Sequence, residues 1–143
     1  MKKIFFIAAL AVVGLGATAC SSDDDAAAVN PLVGTWKAET LTYTFGGQTN
    51  THPYDHPMFK EGCATDYLTL NENQSASLKE NNKNAEDVCV DETANGVWTE
   101  DVITLQGMDI RNIESVTNSE LVLVYPLTFM GQTLDISVSY SKQ

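Results

Sequence analysis

The chain has 143 residues and a formal net charge of −11, with 8 Lys and Arg against 19 Asp and Glu. That length suits one domain around one hydrophobic core. So acidic a chain excludes nucleic acid as a partner, because phosphate needs clustered Lys and Arg, and it excludes docking on anionic lipid through a basic patch.

The first elements in chain order are a leader and a tether. Met1-Lys2-Lys3 is a short positive start, an apolar run follows from Ile4 to Gly16, and small residues Ala17-Thr18-Ala19 lead into Cys20. These are the parts of a secretory signal. The run is shorter than the roughly 20 apolar residues a transmembrane helix needs. A cysteine at this point resembles the lipobox of bacterial lipoproteins, with Ala17 where a larger aliphatic residue is usual. The rival reading is an ordinary signal peptide with Cys20 incidental. Residues 1–19 are thus expected to be a lipoprotein signal peptide, Cys20 the lipidation site, 20–31 a flexible acidic tether, and 32–143 the folded domain. By its charge, Ser21-Ser22-Asp23-Asp24-Asp25 is a solvated spacer. It also resembles the surface-export signal of Bacteroidota lipoproteins. The expected location is the outer membrane, lipid-anchored and exposed at the cell surface.

Three cysteines are present. With Cys20 committed to lipid, Cys63 and Cys89 remain. An exported protein lives where disulfides persist, so a Cys63–Cys89 bridge is favoured. Two free thiols or a metal pair are the rival readings. Free thiols on an exported surface would be open to oxidation, and no Cys-x-x-Cys spacing suggests zinc or redox chemistry.

The rest reads as strands. Val33 to Phe45 holds Trp36 and Ala38 in one phase and Leu41, Tyr43 and Phe45 in the other, which implies a bulge or bend near Glu39-Thr40. Gly46 to Gly62 reads as a long polar connection, a candidate lid or binding loop. Tyr67–Leu70 and Ser75–Leu78 flank an Asn71-Glu72-Asn73 turn. Glu80 to Asp87 reads as a solvated turn, and Val88-Cys89-Val90 as a short strand. Val97-Trp98 and Val102–Leu105 form a further hairpin, and Asp109 to Thr117 leads into the next strand. Leu121, Leu123, Tyr125, Leu127 and Phe129 then share one face, with Pro126 on the other, suggesting an edge or bulge. Leu134, Ile136, Val138 and Tyr140 repeat the alternation, the mark of a sheet wet on one side. About eight or nine antiparallel strands of this kind must hide their edges in a barrel or a two-sheet sandwich. The hairpin-by-hairpin order favours an up-and-down barrel.

Leu32-Val33-Gly34-Thr35-Trp36 carries the Gly-x-Trp signature of lipocalins through Gly34 and Trp36. It is followed by Cys63-Ala64-Thr65-Asp66-Tyr67-Leu68-Thr69-Leu70, Cys89, Gly96-Val97-Trp98 and Ile113 to Leu123. This order resembles the lipocalin-like lipoproteins of Bacteroidota, over residues 32–140. The resemblance implies an all-β barrel of about eight antiparallel strands, often with one disulfide, and a small-molecule ligand. It also implies that the tryptophan closes one barrel end beneath an arginine from the last strand. The single arginine, Arg111, is not there, and Lys142 is the available substitute.

For chemistry, Thr51-His52-Pro53-Tyr54-Asp55-His56 gathers both histidines, with Glu61 nearby. His52, Asp55 and His56 are the types that hold zinc or copper. An exposed loop with two ordinary histidines is the bland alternative. No nucleophile elbow, singled-out carboxylate pair or phosphate loop is present, so no catalytic residues, enzyme activity or cofactor are expected. The candidate ligand contacts are Trp36, Tyr43, Tyr67, Trp98, Tyr125 and Phe129, though aromatics also simply fill small barrels. The leading expectation is a small apolar or amphipathic ligand in the barrel mouth, gated by the 46–62 loop. The alternatives are a packed barrel acting as a protein-interaction or inhibitor module, and an extracytoplasmic metal binder.

Overall fold

The computed structural model describes residues 30–56, 60, 62–129 and 131–143. The leader, Cys20 and residues 21–29 lie outside them, as do Glu61 and the side chain of Phe129. Among the described residues there are nine strands: β1 (Gly34–Phe45), β2 (Gln48–Pro53), β3 (Tyr67–Leu70), β4 (Ser75–Lys83), β5 (Cys89–Trp98), β6 (Val102–Leu105), β7 (Arg111–Val116), β8 (Glu120–Phe129) and β9 (Gln132–Lys142). Every pairing is antiparallel, and β1 pairs with β9 to close the sheet. β1 gives its first half to β3 and its second half to β2 on the same side. The result is an eight-stranded closed barrel with β2 as one extra strand, so closure removes the open edges that a flat sheet would leave.

The core follows from the alternation of the strands. Ile136, Val138 and Tyr140 of β9 and Leu121, Leu123 and Tyr125 of β8 are buried, while Asp135 and Thr128 face outward. β1 buries Trp36, Ala38 and then Leu41. Its register against β9 shifts between Ala38 and Thr40, so Glu39 is the extra residue of a β-bulge. The phase flip in the sequence has this cause. Pro126 pairs with Asp135 of β9, but β7 runs out at Val124, so the proline sits where no second ladder needs its missing N–H. Gly96 marks a close strand crossing: a Cβ there would lie 1.9 Å from the Thr104 carbonyl oxygen.

Two sequence expectations change. The 46–62 connection is not irregular throughout. Gly46 and Gly47, with φ of 58° and 79°, make a two-residue hairpin turn, and β2 runs back along β1 from Gln48 to Pro53. Thr42–Thr51 and Thr44–Thr49 hydroxyl contacts at 2.9 and 3.0 Å lace that hairpin. Likewise Glu80 to Lys83 is not turn but the end of β4, and Cys89 begins a ten-residue β5 rather than a short strand. The polar composition of both segments hid strands whose outward side chains meet water. The turn between them is confined to Asn84–Val88, where Asn84 Oδ1 accepts from the Glu86 and Val88 amides.

One end of the barrel is plugged. Trp36 is fully buried and its Nε1 donates to the Leu32 carbonyl at 2.9 Å. Lys142, at the end of β9, lays its Nζ 5.0 Å from the Trp36 ring centroid and donates to the Pro31 carbonyl at 2.9 Å. Trp98 is buried at the same end and donates to the Asn71 carbonyl at 3.0 Å.

Candidate functional site

The other end of the barrel is open. A cavity of about 530 Å³ lies there, and Leu41, Leu127 and Ile136 form the apolar part of its wall. Tyr54, Lys60, Asp66, Glu80, Arg111 and Tyr125 bring polar atoms to the same space.

The bulge in β1 helps to place two of these side chains. It leaves the Glu39 carbonyl free to accept from the Tyr54 amide at 2.9 Å, which ends β2 and turns Tyr54 into the barrel. The adjacent Ala38 amide donates to the Asp66 carbonyl at 3.0 Å, and Thr65 Oγ1 donates to the Ala38 carbonyl at 2.7 Å. Asp66, the residue before β3, is thereby held against the bulge. The disulfide between Cys63 and Cys89 is formed, and it ties this stretch to the start of β5.

Asp66 is almost fully buried and well supplied with donors. Lys60 Nζ lies 2.6 Å from Oδ1, the Asn81 amide 3.1 Å from Oδ1, and the Tyr54 hydroxyl 2.8 Å from Oδ2. Lys60 also donates to Asn82 Oδ1 at 2.9 Å. A buried ion pair is tolerated only when its remaining donors and acceptors are satisfied in this way.

Arg111, at the start of β7, is less well served. Its Nη1 donates to the Tyr140 hydroxyl at 3.2 Å, and its Nη2 reaches Met108 Sδ at 3.5 Å and Glu80 Oε1 at 3.9 Å. The guanidinium carbon lies 4.4 Å from the Tyr125 ring centroid, a cation–π contact. Nε is buried without a hydrogen-bond partner. Burial raises the Tyr54, Tyr125 and Tyr140 phenols above their ordinary range, so all three stay neutral donors at physiological pH. Burial, followed by the Asp66 charge, also raises the Glu80 carboxyl, while Arg111 and Lys60 oppose the shift.

Of the aromatics singled out in the sequence, Tyr125 lines this cavity. Trp36 and Trp98 pack at the closed end, and Tyr67 is exposed on the outside. Tyr43 packs against the core and stacks on His52 at 6.0 Å. Phe129 contributes a described backbone only. The His52 and His56 rings approach to 5.1 Å, while Asp55 lines a separate outer hollow with Lys37 and Glu39. Among the described residues, no three potential ligands converge on a metal position. Lys60, Asp66, Glu80 and Arg111 were missed as a group. One signal was available for Glu80: Ala76, Leu78 and Glu80 fall in one phase, which carries the inward face of β4 past its apolar part.

No family model matches the sequence, and no curated protein matches it. Solved structures do. Bovine odorant binding protein complexed with its natural ligand is similar at a TM-score of 0.52 and 14% identity, over 80% of this chain and 73% of that one. Aphrodisin, a sex pheromone from female hamster, gives 0.52 and 13%, over 78% and 75%. The siderocalin Ex-FABP gives 0.50 and 12%, over 80% and 75%. Together with the closed antiparallel barrel, the Trp36 plug and the open far end, they establish that this chain has the lipocalin-like fold.

Proposed function

We propose that this protein is a lipid-anchored envelope lipoprotein of the Bacteroidota type that takes a small amphipathic molecule into the open end of its barrel. The observation that carries the binding function is the cavity of about 530 Å³, whose size falls within the range of small-molecule sites. Its wall combines Leu41, Leu127 and Ile136 with a few convergent polar groups, the mixture that seats an apolar body and orients one polar end. The similar odorant binding protein is described with a bound ligand, which supports the same use of the barrel here. A packed barrel acting only through its outer loops would leave this space without a purpose.

The anchoring half of the reading rests on the sequence: the leader ending at Cys20, and the serine and aspartates that follow it. The acidic segment would act as the tether and the export address, and place the barrel outside the cell.

Two experiments test the two halves. An environment-sensitive apolar dye should bind the purified chain saturably at one site, and Ile136→Trp should abolish that binding by filling the cavity. Dye binding that ignores Ile136→Trp would sink the cavity reading. Cys20→Ser should move the protein from the membrane to the soluble fraction; continued membrane attachment would remove the anchor.

A further inference from the structure

Closure of the barrel leaves β2 with one side uncovered. It pairs with β1 along Gln48–Pro53, and among the described residues no strand lies on its other side. The register decides which main-chain groups that free edge presents. Gly46-Gly47 makes a two-residue turn, so the closing pair Phe45–Gln48 exchanges hydrogen bonds, and bonded and non-bonded pairs alternate from there. Tyr43–Asn50 and Leu41–His52 are then bonded pairs. The same phase continues just past β2, where the Tyr54 amide donates to the Glu39 carbonyl at 2.9 Å. Thr49, Thr51 and Pro53 therefore turn their main-chain groups away from β1. Pro53 has no N–H, and its carbonyl already accepts from the His56 amide at 3.1 Å. What remains open is the N–H and C=O of Thr49 and of Thr51, placed symmetrically about Asn50.

Natural proteins blunt such an edge with a lysine or another charge, a bulge, or a proline within the strand. β2 carries no Lys, Arg, Asp or Glu, its register against β1 is unbroken, and its proline is its last residue. We propose that this edge pairs with the same edge of a second copy of the chain, antiparallel and two-fold about Asn50. In that register Thr49 faces Thr51 of the second copy and Thr51 faces its Thr49. Every open group finds a partner, because each such pair exchanges both of its hydrogen bonds. A two-fold contact needs a self-complementary patch, and free groups symmetric about one residue supply it. Two further observations favour a second copy over a foreign strand. The outward threonines already pair across the hairpin, Thr42 with Thr51 at 2.9 Å and Thr44 with Thr49 at 3.0 Å. The two-fold joins them into unbroken rows, Thr42 and Thr51 continuing into Thr49 and Thr44 of the second copy, and Thr–Thr neighbours are favourable cross-strand pairs. Charge also permits the contact. A net charge of −11 opposes self-association, yet no charged residue occurs from Thr40 to Tyr54, and antiparallel pairing puts the two Asp55 residues at opposite ends of the seam. A seam of six residues is small beside the roughly 1,200–2,000 Å² of a stable interface, so the dimer is a weak one, best read by trapping it.

The test is disulfide trapping in the full chain carrying Cys20→Ser, where Cys63 and Cys89 are bonded to each other and an introduced cysteine is the one free thiol. Asn50 sits on the two-fold in a non-hydrogen-bonded pair, whose Cα atoms approach to about 4.5 Å, within reach of a disulfide. Gln48 faces His52 of the second copy and lies roughly 14 Å from its own counterpart, beyond that reach. Under mild oxidation Asn50→Cys should therefore give covalent dimer at least about tenfold faster than Gln48→Cys. Adding Thr51→Pro removes an outward N–H, leaves the β1–β2 ladder intact and should suppress the trapping. Asn50→Lys leaves the main chain alone and sets like charges opposite each other, so it should lower the dimer fraction seen by sedimentation of the concentrated protein. Equal trapping at positions 50 and 48, trapping that survives Thr51→Pro, or sedimentation indifferent to Asn50→Lys each overturns the proposal. So does an Asn50→Cys chain that, in envelope extracts, traps a different protein in place of its own copy, which would make the edge a receptor for a foreign strand.

Discussion

Lys142, the last residue of β9, lies over the ring of Trp36 near the start of β1, with its Nζ 5.0 Å from the ring centroid and 2.9 Å from the Pro31 carbonyl. The contact joins the first and last strands at the closed end of the barrel, beside the ladder that pairs Trp36 with Lys142. A lysine thus lies over the tryptophan, at the place where the family resemblance implies an arginine. Gly34 makes room for it. The residue has a φ of 147°, and a Cβ there would come within 2.6 Å of Lys142 Cε.

Gly34→Ala should therefore cost about 1–3 kcal/mol, because the alanine is both strained and in collision with the lysine stem. Lys142→Ala should cost about 1 kcal/mol through the lost cation–π contact and carbonyl bond. The double variant should recover the collision but not the backbone strain. Urea denaturation of the three variants measures this, and a Gly34→Ala protein as stable as wild type would refute the account.

The Lys60–Asp66 pair should show the asymmetry of buried ions. Lys60→Met leaves a buried carboxylate with the Tyr54 hydroxyl and the Asn81 amide alone, and should destabilise by about 3–5 kcal/mol. Lys60→Met with Asp66→Leu removes both charges and should be markedly less damaging than the sum of the single changes. Strict additivity in the double-mutant cycle would show that the pair is not coupled.

The Cys63–Cys89 bridge spans 26 residues. In the chain-entropy model a loop of that size is worth about 3–4 kcal/mol. Replacing both cysteines by alanine should lower stability by roughly that amount. It should also loosen the segment that carries Lys60, seen as faster amide exchange around residues 62–66. Unchanged exchange there would mean the bridge holds β5 but not the cavity wall.

Glu80 sets a pH dependence with a definite sign. Its carboxyl is raised above the ordinary value of 4.5, first by burial and then by Asp66, with Arg111 and Lys60 opposing and Glu92 adding. The folded state thus binds this proton more readily than the unfolded state. Its contribution is most favourable below 4.5 and is lost as pH rises through the higher folded value. Relative to Glu80→Gln, the wild type should gain stability as pH falls through that window. Denaturation curves of both proteins across mildly acidic pH would decide it; a gap that moves the other way would contradict the sign.

The chain by itself determined the strands with an apolar face and one irregularity, but not β2 or the polar stretches of β4 and β5. Alternation in Leu121–Leu127 and Leu134–Tyr140 reports directly which side of a strand is wet, because side chains switch faces at every residue. The same rule exposed the bulge at Glu39 as a change of phase. Cys63 and Cys89 were legible because they were the two thiols left to pair. Only the tertiary structure assembled the site. The stretch from Tyr54 to Asp66 meets Glu80, Arg111 and Tyr125 from distant parts of the chain, and the alternation of a strand tells its inward face but not which inward residues share a level once the sheet closes. That level is set by the registers of all eight ladders and by the β1–β9 closure, which are long-range properties. Polar residues were the hardest to place, because a lone arginine or glutamate reads as solvated until closure puts it inside. Hence the fold was largely legible, while the cavity and its buried polar groups were not.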